Sequence, residues 1–505
     1  MNEKDSPSEQ EVTPTPQPDR EAVTRDEKAT PAEEKHLVRR LDMRIMPFIC
    51  CLFLCSYLDR VNLGNARLQG LPQDILGGDP TGVLFDWANS AFYFSFVLCP
   101  VPLTVLSKLC PPRIWFCLVA VGWGVSAVLM ATSFNFAGLF VSRLAIGAFE
   151  GGFSPTVPLY LSFFYTPREQ GLRLAVYTAF AGVAGAFGGL LAFGIQHAHI
   201  AIENWRLLFI VEGTPSIVLG LLALFFLPDR PEQTSYLNER ERQVALERAN
   251  RGTSADAGQV INRSHVYGAL TDWKVYAGGL QFLAAAASFS SIAAFLPTII
   301  TTFGYTNALA QLLTVPPYAV GSIVLCLVSY ASDRSQLRGP FVIATSSLSG
   351  IGYILLVTVA DNKHVRYFAT FCITSGTYSM GSILFAWYCH NLGSESKKAA
   401  GTALYMAIGQ CGAVLGSHLY PLTQGPRYLK GFGVNCALHF FSAAVAAVLM
   451  VYYHLENRRR DEKYGKPVCD AMVNTRELAD KVSARRVADG MSSLVSQAPA
   501  FRYTP

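Results

Sequence analysis

The chain has 505 residues, 51% of them apolar and only 15% charged, with a mean hydropathy of +0.28, which is more apolar surface than a soluble core of that size can hide. Lipid is the expected solvent. Because lipid offers backbone groups no partner, an all-α polytopic membrane protein is expected. The net charge of +5 lies in short loops and beside apolar runs, which suits lipid headgroups and argues against nucleic acid as a partner.

In chain order, residues 1–34 are rich in Pro, Glu, Asp, Ser and Thr and contain no apolar run. They read as a disordered cytoplasmic tail without a signal peptide. Runs of about 20 apolar residues, the length that crosses ~30 Å of hydrocarbon, then predict spans near 45–65, 84–107, 114–133, 136–162, 174–198 and 205–227. Pro228 ends the sixth, and the charged stretch through residue 274 predicts a cytoplasmic linker with an amphipathic helix. A second set follows near 275–303, 307–330, 340–360, 366–389, 399–421 and 433–455, and residues 456–505 form a second cytoplasmic tail. The expectation is twelve transmembrane helices in two six-helix halves, 35–227 and 275–455. The Lys and Arg bias of alternate loops places both termini in the cytoplasm. The twelve cysteines sit mainly inside apolar runs without metal-ligand spacing, so they read as small hydrophobes, and neither a metal nor a cofactor is expected.

Charges inside spans stand out against this background. Asp59, Arg60 and Asn62 lie in the first span, where an unpaired charge costs at least ~2.5 kcal/mol and so calls for a partner or a cavity. Arg60 offers a planar fork that fits a carboxylate. Asp59 and Arg60 point about 100° apart. Either Arg60 clamps an organic anion or the two residues form a structural pair. In the fourth span Arg143, Gly147 and Glu150 fall at i, i+4 and i+7 on one face, with Arg143 ~10 Å and Glu150 ~20 Å from the outer surface, bracketing the midplane. Sites of alternating access lie at that depth. A carboxylate in a partly desolvated cavity can load and release a proton near neutral pH, which makes Glu150 the first candidate for proton coupling and Asp59 the second. The alternative is that Arg143 pairs permanently with Glu150 or with the fifth span and merely locks the helix. Glu212 in the sixth span reads as a packing element near Gly213 and Pro215, with a part in coupling as the alternative. Gly182, Gly185, Gly188 and Gly189 in the fifth form a helix-contact face. The second half is nearly free of ionisable groups, and Tyr378, Trp387 and Asn391 are its candidates for packing against the uncharged parts of a substrate. His439 reads as a core histidine.

Several segments together resemble the major facilitator superfamily and, within it, the fungal anion:cation symporters that include allantoate and nicotinate permeases. They are YLDRVNLGNA (57–66), RLAIGAFEGGFSPTVPLYLSFFYTPREQGLR (143–173), WRLLFIVEGTPSIVLGLLALFFLPD (205–229), FLPTIITTFGYTNALAQLLTVPPYAVGSI (295–323), SDR (332–334) and GPRYLKGF (425–432). The resemblance covers roughly residues 36–460 and implies a twelve-helix major facilitator fold that works as a monomer. It also implies that an arginine and a glutamate at positions 143 and 150 act on an organic anion and a proton. The turn after the second span lacks the acidic residue and second glycine of the superfamily's usual signature, and Gln410 stands where relatives often have Asn, which weakens any transfer of a relative's substrate.

No nucleotide-binding loop, metalloprotease motif or nucleophile elbow is present, so an ion gradient is the expected energy source and the chain is not expected to be an enzyme. The leading reading is proton-coupled symport of a small organic anion, a carboxylate vitamin or nutrient, across a fungal cell membrane. Export of a secondary metabolite or toxin is the alternative within transport, and a nutrient receptor that binds without carrying is the alternative outside it.

Overall fold

The computed structural model describes residues 30–107, 109–198, 201–231, 234, 236–252, 263–335, 337–392, 395–464 and 503–504. The tails expected at 1–34 and 456–505 therefore lie largely outside the described residues, as does 253–262 of the linker. All regular structure that is described is helical.

The first span, Pro31–Leu68, opens on a capping box in which Thr30 and Glu33 exchange side-chain-to-backbone hydrogen bonds. Its 38 residues extend well past the 45–65 window, because this cap starts the helix outside the ~30 Å apolar layer. The second span is Val83–Leu98 continued by Pro100–Ser107. It is interrupted at Cys99, since Pro100 has no N–H to carry the ladder onward. The third is Pro112–Met130, and the fourth is Phe136–Phe153 continued by Thr156–Leu161 past Pro155. The fifth is Pro167–Gln196 and the sixth Asn204–Phe226. Two connecting helices follow, Glu239–Gly252 and Arg263–Leu270. The second half consists of Trp273–Thr301, Asn307–Leu312 with Val315–Ser335, Gly339–Thr358, Lys363–His390, Glu395–Ser417 and Leu429–Tyr464. Among the described residues nine helices are long and apolar enough to cross a membrane. Of the other three, Val83–Leu98 is shorter, the tenth span carries the polar run Thr374, Ser375, Thr377, Tyr378 and Ser379, and the eleventh begins with Glu395, Lys397 and Lys398.

The first span begins, and the twelfth ends, on what is here called the terminal side. The two halves meet along a seam toward the opposite, far side. There Leu422 N–H donates to the Thr81 carbonyl at 3.2 Å. The Asn307 amide donates to Leu68 O at 3.1 Å, and Gln311 to Asn65 O at 3.4 Å. Small residues let the backbones approach. A Cβ on Gly64 would strike the Ala293 and Ala294 carbonyls, one on Gly185 would meet the Tyr318 ring, and one on Gly189 would run into Thr314 and Gln311. Of the expected glycine face of the fifth span, Gly182, Gly185 and Gly189 thus meet the eighth span of the other half, whereas Gly188 faces Leu58 of the first span.

On the terminal side the helix Glu239–Gly252 is strapped to the first half. Arg40 holds Glu241 with Nη1 at 2.9 and 2.7 Å from its two oxygens. Arg248 reaches Glu169 at 2.5 Å and the Glu34 carbonyl at 3.1 Å.

Candidate functional site

The intramembrane charges converge where the first, second, fourth and sixth spans pack. Arg60 Nε donates to Glu150 Oε2 at 2.7 Å, and Nη2 lies 2.7 Å from the same oxygen. The guanidinium rests against the rings of Phe96 at 4.7 Å and Phe92 at 5.0 Å. Glu150 is completely buried, whereas the Arg60 side chain keeps 16% of its exposure, so the arginine is the more accessible member of the pair, although its Nη2 is itself buried. Among the described residues Oε1 of Glu150 has no hydrogen bond of good geometry, with Ser56 its polar neighbour.

Arg143 and Glu150 share a helix face but do not pair. Seven residues separate them by ~10 Å of rise, and each takes a partner at its own level. Arg143 donates to the Asp59 carbonyl at 3.2 Å and to Asn89 Oδ1 at 3.3 Å. Between them Gly147 admits the second span, for a Cβ there would strike the Phe92 carbonyl and the Ser95 hydroxyl. Asn89 carries the contact into the other half: its amide donates to Ser417 Oγ at 2.9 Å, and Ser417 Oγ lies 3.0 Å from Ser290 Oγ. Nor do Asp59 and Arg60 form a pair with each other. Asp59 turns toward the sixth span, where Ser216 donates to Oδ2 at 3.3 Å and Oδ1 is left without a hydrogen-bond partner among the described residues. Asn62 lies on that side as well, near Glu212 and away from Arg60. Its amide and both Glu212 oxygens are buried without a hydrogen bond of good geometry. Glu212 therefore belongs to a buried polar patch with Asp59 and Asn62, in addition to sitting beside the Gly213 contact with the third span.

Tyr378 is the one second-half candidate near the ion pair. Its hydroxyl lies 2.7 Å from that of Tyr57, and the Tyr57 ring is 5.8 Å from the Arg60 guanidinium. Phe289 and Tyr318 pack their edges on Tyr378 at 5.1 and 6.1 Å. Trp387 and Asn391 lie ~13 and ~20 Å further along the tenth span, at its terminal-side end, where both bond to Thr504. The structure does not bring them to Arg60, because the rise of the helix carries them out of the midplane. His439 is fully buried, with Nε2 3.1 Å from Ser349 Oγ and Nδ1 unpartnered among the described residues.

Residues that sequence reasoning passed over include Asn89, Tyr57, Phe92 and Phe96. Tyr57 precedes Arg60 by three positions on one face, and Asn89 is a lone amide in an apolar run. Both signals were available, but neither says which helix stands opposite.

The sequence model of the Major Facilitator Superfamily matches residues 49–417. The chain belongs to the major facilitator superfamily. A protein of Emericella nidulans described as a major facilitator-type transporter, hxnP, is 33% identical over 88% of this chain and 91% of its own length. The high-affinity nicotinic acid transporter of Saccharomyces cerevisiae is 30% identical over 87% of this chain and 82% of its own. Among solved structures, a D-xylose-proton symporter superposes with a TM-score of 0.65 at 13% identity, covering 80% of this chain and 97% of that one. This major facilitator is accordingly a multi-pass membrane protein and a secondary transporter, not an enzyme.

Proposed function

We propose that this transporter carries a small organic anion together with protons, and that the Arg60–Glu150 ion pair is the exchange point between them. The single observation that supports this most is the asymmetry of the pair, a fully buried carboxylate held at 2.7 Å by an arginine whose side chain keeps 16% of its exposure. While Glu150 is ionised it occupies the guanidinium fork. Once it takes a proton, the fork is released to a substrate carboxylate, so anion and proton bind together and leave together. Arg143, fixed by the Asp59 carbonyl and Asn89, adds positive potential that favours an anion. Tyr57 and Tyr378 cover the site from the two halves and supply hydroxyls and ring faces. Asp59, with one free oxygen, is the second proton-holding carboxylate of this reading. A nicotinic acid transporter among the relatives agrees with a carboxylate cargo.

With both termini and the strapped linker helix in the cytoplasm, as the Lys and Arg bias favours, the closed seam lies outside and the structure is inward-facing in a fungal plasma membrane. The test is uptake by reconstituted protein of a panel of small carboxylates, nicotinate included, under an inward proton gradient. Uptake of a carboxylate that is lost in Arg60→Gln supports the reading. Transport only of bulky uncharged compounds, indifferent to Arg60, would replace it with export of such compounds.

A further inference from the structure

The terminal-side end of the second half holds a ligand supplied by the chain itself. Asn391 grips Thr504 from both sides: its Nδ2 donates to the Thr504 carbonyl at 3.1 Å and its Oδ1 accepts the Thr504 N–H at 2.8 Å. Asn457 repeats the grip on Tyr503, donating to its carbonyl at 2.8 Å and accepting its N–H at 2.9 Å. The Trp387 indole donates to the same Thr504 carbonyl at 2.8 Å. Two successive residues thus have both their backbone donors and their acceptors satisfied by side chains, which secondary structure ordinarily does. The Tyr503 ring lies flat on Tyr453, with centroids 4.8 Å apart and planes 10° apart. The Arg460 guanidinium lies 4.9 Å and the Lys274 ammonium 5.5 Å from its centre. Tyr503 is left only 5% exposed.

We propose that the ends of the seventh, tenth and twelfth spans form a peptide-binding slot that reads an extended Tyr–Thr segment, and that Tyr503–Thr504 fills it in cis and ties the three ends together. The backbone is read by Asn391, Asn457 and Trp387. The aromatic residue is selected by the Tyr453 floor between two cations. The tenth span also carries Tyr378, so the tie acts on the rod that faces Arg60 in the other half.

Neither readout of the test uses transport, so its failure is separate from failure of the anion reading. Melting midpoints are measured for the full chain, for a chain lacking 501–505, for Asn457→Ala, for Tyr503→Ala and for the deletion combined with Asn457→Ala. The expected result is a fall of a few degrees for each single change and no further fall for the combination. Peptide exchange with deuterium at 385–392 and 453–460 is expected to quicken roughly tenfold in the deletion while the first span is unchanged. The free octapeptide APAFRYTP (498–505), at about millimolar concentration to match a tethered segment, should restore the midpoint of the deleted chain, and its Tyr503→Ala version should not. An unchanged midpoint on deletion, fully additive losses, or no rescue by the octapeptide would each overturn the slot.

Discussion

Glu150→Gln removes a charge while keeping the shape of the side chain, and two of its consequences can be worked out. Arg60 loses the carboxylate it holds at 2.7 Å. Breaking a buried pair costs ~3–5 kcal/mol when the survivor is sealed from water. Arg60 retains 16% exposure and two ring faces, so the lower end, about 3 kcal/mol or less, is expected as a modest drop in thermal stability. The second consequence concerns energy coupling. One unit of pH across the membrane is worth about 1.4 kcal/mol per proton, so one proton per anion allows at most about tenfold accumulation. Wild-type protein in proteoliposomes should approach that ratio for a transported carboxylate. Glu150→Gln should equilibrate the same labelled carboxylate to a ratio near one while still exchanging it against unlabelled solute, and the apparent affinity should lose its dependence on pH. If the variant accumulates as strongly as wild type, Glu150 does not carry the coupled proton, and the competition between proton and anion for Arg60 is wrong.

Three other outcomes follow from the packing and the electrostatics. Gly147→Val should destabilise the first half by ~1–3 kcal/mol, the usual cost of overpacking, because the second span's Phe92 carbonyl occupies the space; thermal unfolding of the purified protein reads it. Gly189→Val should leave each half folded but keep the seam from closing against Thr314 and Gln311. A cysteine placed at Asn65, which the closed seam buries, should then label faster with an impermeant maleimide from the far side, and exchange should fall at least severalfold; unchanged labelling would count against the seam as the far-side gate. Burial works to raise the Glu241 carboxyl, but the Asn238 N–H and Arg40 outweigh it and hold it below its usual 4.5. A value depressed by folding contributes stability that is complete above the unfolded value and is lost as pH falls through the folded one. Protease cleavage of the connecting helix should therefore rise on acidification below about pH 4.5 and not on alkalinisation; a flat profile through that range would remove the Arg40–Glu241 strap.

Hydropathy and the placement of Pro and Lys/Arg already outline twelve rods, because the span length is dictated by the bilayer and not by tertiary contacts. The shared face of Arg143 and Glu150 is equally legible, since helical periodicity is local. Their partners are not. Whether Glu150 meets Arg143 or Arg60 depends on which helix Gly147 admits and how the first span is rotated, and spacing within one span contains neither fact. Asp59 and Arg60 could be expected to diverge, as adjacent helical positions do, but the direction of Asp59 toward Ser216 needs the sixth span in place. Trp387 and Asn391 looked like a polar aromatic substrate patch because nothing in their own span mentions a segment more than a hundred positions later that would bond to them.

Asp59, Arg60, Arg143, Glu150 and Glu212 all ride on one six-helix body, while the partner body answers them with hydroxyls and rings. When the two bodies rock past one another, these fixed charges keep their mutual distances, and the dipole of the site turns as a unit without being rebuilt. Any charge that the empty carrier moves through the membrane field is therefore set by that one rotation. A voltage step applied without solute should draw only the transient current of that rotation, and one monovalent anion carried with one proton adds no net charge to it.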